Sequence, residues 1–174
     1  MKILLTGEIG SGKSTVAREV LRIAGFKRVS GLLSLPMDER DRSRGFRLLS
    51  LPGRRERIFA FPRAEGGVGP ERFRLASEAF EQFGVEVLHS VEVSNDSMWI
   101  LDELGVFEKE IASYVTAVRK IAAREGNALV VVQKRALDFW APILRAGGFG
   151  VPVEVTPGNQ AELPSALAAL FTRG

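Results

Sequence analysis

The 174-residue sequence has no cysteine and a single histidine, His89. Without thiols there is no disulfide framework, no thiolate nucleophile and no Cys-ligated zinc, and the composition suits a reducing cytoplasm, the expected location. One imidazole in polar surroundings supports neither a His-based metal site nor a Ser-His-Asp triad, so His89 is expected to be structural or solvent-exposed. Long apolar runs are also missing from the start of the chain. Ile3 to Leu5 in MKILLTGEIG is far shorter than a signal-peptide core or a membrane span, and no membrane partner is expected.

Hydrophobic residues make up 45% of the chain and charged residues 26%, which argues against disorder and fibrous repeats. The length fits one domain with a real core, and residues 1–174 are expected to form it. A net charge of +3 is a weak pull toward anionic partners. Where the Arg residues cluster matters more: RDRSRGFR and GRRERIF put seven of them into the eighteen residues 40–57.

Apolar segments at residues 2–6, SMWIL and ALVVV read as strands buried on both faces of a parallel sheet. Helical spacing is expected from Lys13 to about Ala24, around Ala79 to Val87, from Phe107 to Ala122, from Phe139 to Ala146 and from Gln160 to Phe171. VPVEV is a further strand, and PRAEGGVGPE at 62–71 reads as a loop. The alternation predicts an α/β fold with a mostly parallel central sheet and helices on both faces. RVSGLLSL, GFRLLSL and RIFAF interrupt that rhythm and predict an early antiparallel hairpin insertion.

GEIGSGKS, Gly7 to Ser14, satisfies G-x-x-x-x-G-K-[ST] at every fixed position, directly after a predicted strand and at the start of a predicted helix. The glycines let the backbone curl so that its N–H groups converge on phosphate oxygens, and the helix dipole adds positive potential. The expected nucleotide contacts are Gly7, Glu8, Ile9, Gly10, Ser11, Gly12, Lys13, Ser14 and Thr15. Lys13 would reach the β- and γ-phosphates as a catalytic group, and Ser14 would ligate Mg²⁺. The glycine order G-x-x-G-x-G differs from the dinucleotide fingerprint.

MWILDELG, 98–105, poses a sharper question, because its adjacent acids could end a buried strand or open the next helix. Once a phosphate loop is granted, Asp102 after an apolar strand is the expected second metal ligand. Glu103 separates reaction classes: a carboxylate beside that Asp can activate water for hydrolysis, whereas a kinase must exclude water. Glu103 as a helix-cap carboxylate remains the bland alternative, and helix-dipole placement accounts for Glu108 and Glu110.

GEIGSGKST, SGLLSL, RGFRLLSL, LDELGVFE and PVEVTPGNQAELPSAL, in that order, resemble the cancer-related nucleoside-triphosphatase (THEP-type) family of P-loop NTPases. Asp102, Glu103, Leu104, Gly105 and Glu108 match its acidic motif, while Val106 and Gln160 stand where Lys and Arg are usual. The resemblance implies a RecA-like fold and Mg²⁺-dependent hydrolysis of nucleoside 5′-triphosphates such as ATP and GTP with broad base tolerance. A small-molecule or nucleotide kinase and a nucleotide-dependent RNA-binding switch stay open as alternatives. Within the Arg cluster, a solvated surface, an intrinsic arginine finger and a nucleic-acid contact all remain readings. Trp99 is expected in the core, and Trp140 is weighed between packing and stacking on a base.

Overall fold

The computed structural model describes residues 1–64, 72–94 and 96–172, with the side chain of Glu103 outside the description. The parallel strands are β1 (Lys2–Gly7), β2 (Arg28–Pro36), β6 (Ser97–Leu104), β7 (Asn127–Gln133) and β8 (Val153–Glu154). Between β2 and β6 in sequence come β3 (Phe46–Leu51), β4 (Glu56–Pro62) and β5 (Phe73–Leu75), joined antiparallel to the outer edge of β2. All eight form one sheet in the order β5-β4-β3-β2-β6-β7-β1-β8. This is the expected architecture: a mostly parallel sheet with an early antiparallel extension. The extension has one strand more than the sequence pattern indicated, because β5 is only three residues long. The loop expected at 62–71 lies outside the described residues from 65 onward.

Strand alternation assigns side chains to the two faces. Ile3, Leu5, Met98, Ile100, Leu129 and Val131 pack on one face with Val16, Ala17 and Val20 of helix α1 (Lys13–Ala24) and Leu167 of α5 (Leu163–Phe171). Leu4, Trp99, Leu101, Ala128, Val130 and Val132 pack on the other, where α2 (Val85–Ser90), α3 (Ala112–Ala122) and α4 (Leu137–Ala146) cover them. Both faces are buried, which is why these strands read as continuous apolar runs. Trp99 is in this core as expected.

Several helix boundaries differ from the periodic reading. The helix expected from Phe107 begins only at Ala112, because Glu108–Glu110 form a short 3₁₀ turn and Ile111 is extended. The last helix starts at Leu163 instead of Gln160, with Pro164 in its first turn, where a missing N–H is tolerated. VPVEV contributes only Val153 and Glu154, which pair with Leu5 and Thr6. Around Ala79 to Val87, a wider π-turn (Ala79–Gly84) runs into α2.

One glycine sets how closely β2 lies against β6. Gly31 has φ +124°, and a Cβ there would fall 2.0 Å from the Ile100 carbonyl oxygen. Gly31→Ala is expected to destabilise the fold by at least about 3 kcal/mol, because strand backbone rather than a flexible side chain must move. Urea denaturation of the purified variant measures this, and a loss within about 0.5 kcal/mol would refute the close-approach argument.

Candidate functional site

The phosphate-loop pattern lies where β1 passes into α1. Gly10 and Gly12 have φ +83° and +88°, a left-handed backbone open to glycine, and Gly12 is the residue before the helix. Among the described residues no side chain caps α1 and no acid sits in its first turn, so its leading N–H groups and positive dipole end face the loop. The Ser11 hydroxyl is buried with no hydrogen-bond partner among the described residues. The buried Lys13 ammonium donates to the Glu8 carbonyl at 2.8 Å, back across its own loop. Backbone donors, an unmatched hydroxyl and a held cation together make a cradle for a polyanion.

Asp102 arrives from β6. Its alternation with Met98 and Ile100 turns it toward α1, and the Ser14 hydroxyl donates to its Oδ1 at 2.9 Å across 88 residues of sequence. Asp102 is 2% exposed. The ambiguity in MWILDELG is thereby settled for the backbone: Asp102 and Glu103 belong to the strand, and the next helix begins eight residues beyond Leu104. The sheet register slips between Asp102 and Leu104, which oppose the successive residues Val131 and Val132 of β7. Glu103 is therefore the extra residue of a β-bulge, a device that redirects side chains at strand ends. Its own side chain, the expected water activator, lies outside the described residues.

A serine hydroxyl and one carboxylate oxygen are hard ligands that suit Mg²⁺, which retains waters and phosphate oxygens for the rest of its shell. Among the described residues there is no group of three or more His, Asp or Glu able to form an all-protein cage. Ser14 and Asp102, the two residues expected at the metal, are thus brought together in a donor set that fits it.

Beyond Leu104 the turn is held internally. The Gly105 N–H donates to Glu108 Oε2 at 2.9 Å, and the Trp140 indole N–H donates to the Gly105 carbonyl at 2.9 Å, both buried. Trp140 is fully buried, so of its two sequence readings the packing one holds. Glu108 is likewise more than a helix-dipole acid, since it is buried and ties down the acidic turn, whereas Glu110 is exposed. His89 is exposed at the end of α2.

Sequence reasoning passed over two residues here. Gln133, the first polar residue after the apolar run of β7, lies opposite Gly7 in register and packs beside Gly105. Its signal was a strand end, but only the sheet order reveals that β7 runs between the phosphate-loop strand and the acidic strand. Lys134 binds Glu154 at 2.7 Å and the loop residue Glu8 at 3.3 Å, and these carboxylates raise its pKa above that of an ordinary lysine. Val106 and Gln160 both border the site. Val106 lines its cavity, and Gln160 packs its amide oxygen where a Gly12 Cβ would be, 2.6 Å away.

The cavity has a volume of about 460 Å³ and extends from Ile9–Thr15 toward the antiparallel strands. Of the seven clustered Arg, Arg44 pairs with Asp38, Arg47 with Glu56 and Arg55 with Glu86. Arg42 is the member of the cluster that lines the cavity.

With this geometry in view, comparisons with known proteins converge. A family model described as NTPase matches residues 2–168. The nucleoside-triphosphatase THEP1 of Thermotoga maritima is 27% identical over 139 residues, covering 80% of this chain and 78% of that protein. THEP1 of Methanopyrus kandleri is 30% identical over 139 residues, covering 77% and 74%. Among solved structures, the crystal structure of THEP1 from Aquifex aeolicus superposes with a TM-score of 0.79 at 25% identity, covering 98% of this chain and 99% of that one. A human cancer-related nucleoside triphosphatase, solved in solution, shares the fold at 20% identity with a TM-score of 0.76, covering 99% and 98%.

Proposed function

This chain belongs to the NTPase family, and from that premise we propose that it hydrolyses nucleoside 5′-triphosphates, ATP and GTP among them, to diphosphate and phosphate. The observation that carries the reading is the Ser14 Oγ to Asp102 Oδ1 hydrogen bond, 2.9 Å, at the mouth of the phosphate loop. It joins the two residue types that hold the metal in P-loop hydrolases. Ser14 and Asp102 would hold Mg²⁺, which would supply neutralisation of the phosphate charge.

The chain's own groups do the rest. The loop N–H groups from Gly7 to Thr15 orient the phosphates, and Lys13 swings from the Glu8 carbonyl to the β- and γ-oxygens, where charge develops. Glu103 accepts a proton from the attacking water. Nothing in this scheme contacts the base, in keeping with broad base tolerance. The continuous sheet supports one domain over residues 1–174, and the cysteine-free composition supports work in a reducing cytoplasm. Among the described residues no helix is long and apolar enough to cross a membrane.

Purified protein incubated with ATP, GTP and CTP plus Mg²⁺ is expected to release phosphate from all three, and EDTA is expected to stop it. Release from none of them would remove the hydrolase reading. Undiminished release in EDTA would remove the metal from it.

A further inference from the structure

Hydrolysis needs room for one water beside the γ-phosphate, yet the cavity continues well past that point. Its far wall is aromatic. Phe73 meets Phe46 edge to face at 5.5 Å, Phe46 lies 6.2 Å from Phe59, and Phe107 closes the wall through a shared contact with Phe80. Val106 adds to the apolar surface. Leaving such a recess open exposes apolar surface at about 25 cal/mol per Å², and an enclosed apolar pocket with a few polar groups is the usual form of a small-molecule site.

The recess is basic as well. Arg72 lies 4.9 Å over the Phe73 ring, so its guanidinium is held in place, and its buried Nε has no hydrogen-bond partner among the described residues. Arg42 lines the same wall. A planar guanidinium whose Nε–H is unpartnered suits a phosphate or carboxylate.

Position separates this recess from the nucleoside end of the substrate. The Ser14 and Asp102 pair marks the γ-phosphate end, and the recess lies beyond it, under the β2–β5 extension. With the metal pair on the β6 side of the loop, the nucleoside of a bound triphosphate would extend to the other side, where β8 adjoins β1. We propose that the aromatic recess is a subsite for a second ligand, a nucleoside monophosphate, with its base among Phe46, Phe59, Phe73 and Phe107 and its phosphate on Arg72 and Arg42. This rests on the reading of the phosphate loop as the triphosphate site. Bound there, the monophosphate occupies the space from which water reaches the γ-phosphate, and it therefore slows hydrolysis.

The test is calorimetric titration of AMP, GMP, CMP and UMP into the protein already saturated with Mg²⁺ and a non-hydrolysable ATP analogue. At least one is expected to bind with one-to-one stoichiometry and to lower ATP hydrolysis in a separate assay. Arg72→Gln removes the charged donor, and Val106→Trp fills the recess without opening a cavity. Each is expected to weaken monophosphate binding at least about tenfold, and Arg72→Gln, which leaves the recess open, is expected to keep ATP hydrolysis in the absence of monophosphate within about threefold of wild type. No binding by any of the four monophosphates overturns the subsite while an intact hydrolase activity stands. Binding that displaces the analogue overturns it too, by placing the monophosphate in the phosphate loop. If Val106→Trp raises KM for ATP but not for inorganic tripolyphosphate, the recess holds the substrate's own base and the proposal fails. A wild type that binds the monophosphate but hydrolyses nothing would instead overturn the hydrolase reading alone.

Discussion

Lys13→Ala is expected to lower phosphate release from ATP by about 10²- to 10³-fold, the scale of losing one charge-stabilising donor at a transition state. The residue is 5% exposed, and its ammonium is held over the loop by the Glu8 carbonyl. In the proposed mechanism it turns from that carbonyl to the γ-phosphoryl group, where little water screens its charge. The alanine variant should still fold. α1 is anchored on the sheet by Val16, Ala17 and Val20, none of which depends on the lysine charge. Circular dichroism and thermal melting would verify that. Equal phosphate release by a folded Lys13→Ala variant and wild type would show that the loop is not the reaction centre.

Glu103→Gln carries the second large effect. Removing the carboxylate while keeping its size is expected to reduce kcat by about 10²- to 10⁴-fold. KM for ATP should stay within about threefold, because the residue is assigned to water rather than to substrate binding. The structural basis is the bulge. Asp102 and Leu104 oppose neighbouring residues of β7, so the chain has one residue more than the ladder needs, and that residue is Glu103. Stopped-flow phosphate detection on wild type and variant separates the two constants. A variant with unchanged kcat would return Glu103 to the role of a solvated acid and reopen the kinase reading.

Local chemistry explains why the phosphate loop was legible in the sequence. A left-handed turn demands glycine at Gly10 and Gly12, and the lysine and serine must follow at fixed spacing. The buried strands were legible for an equally local reason, since both faces of β1, β6 and β7 are covered and every side chain in them had to be apolar. The failures have physical causes as well. Glu108 looked like a helix-start acid because its partner, the Gly105 N–H, becomes a buried donor only once the turn is folded. Trp140 left two readings open because its indole partner lies 35 residues away. Gln133 was legible only as a strand end, and the last residue of a strand acquires its meaning from the strands beside it.

The Arg cluster shows the same divide. By sequence alone its seven guanidiniums were equivalent, and a surface, a finger and a nucleic-acid contact all fitted them. Folding gives Arg44, Arg47 and Arg55 carboxylate partners and sets Arg42 on the cavity wall.

By itself, then, the sequence determined that a polyanion cradle exists between β1 and α1, that an acidic strand accompanies it, and that the sheet is mostly parallel. Those features depend on contacts within a few residues, on side-chain type and on period. Tertiary structure decided that Ser14 and Asp102 meet at 2.9 Å, that Arg42 and Arg72 border an aromatic recess, and that Val106 and Gln160 flank the site. Each of these depends on strand order and register, which are set by how the whole chain buries both faces of its sheet, and no local window of residues contains that information.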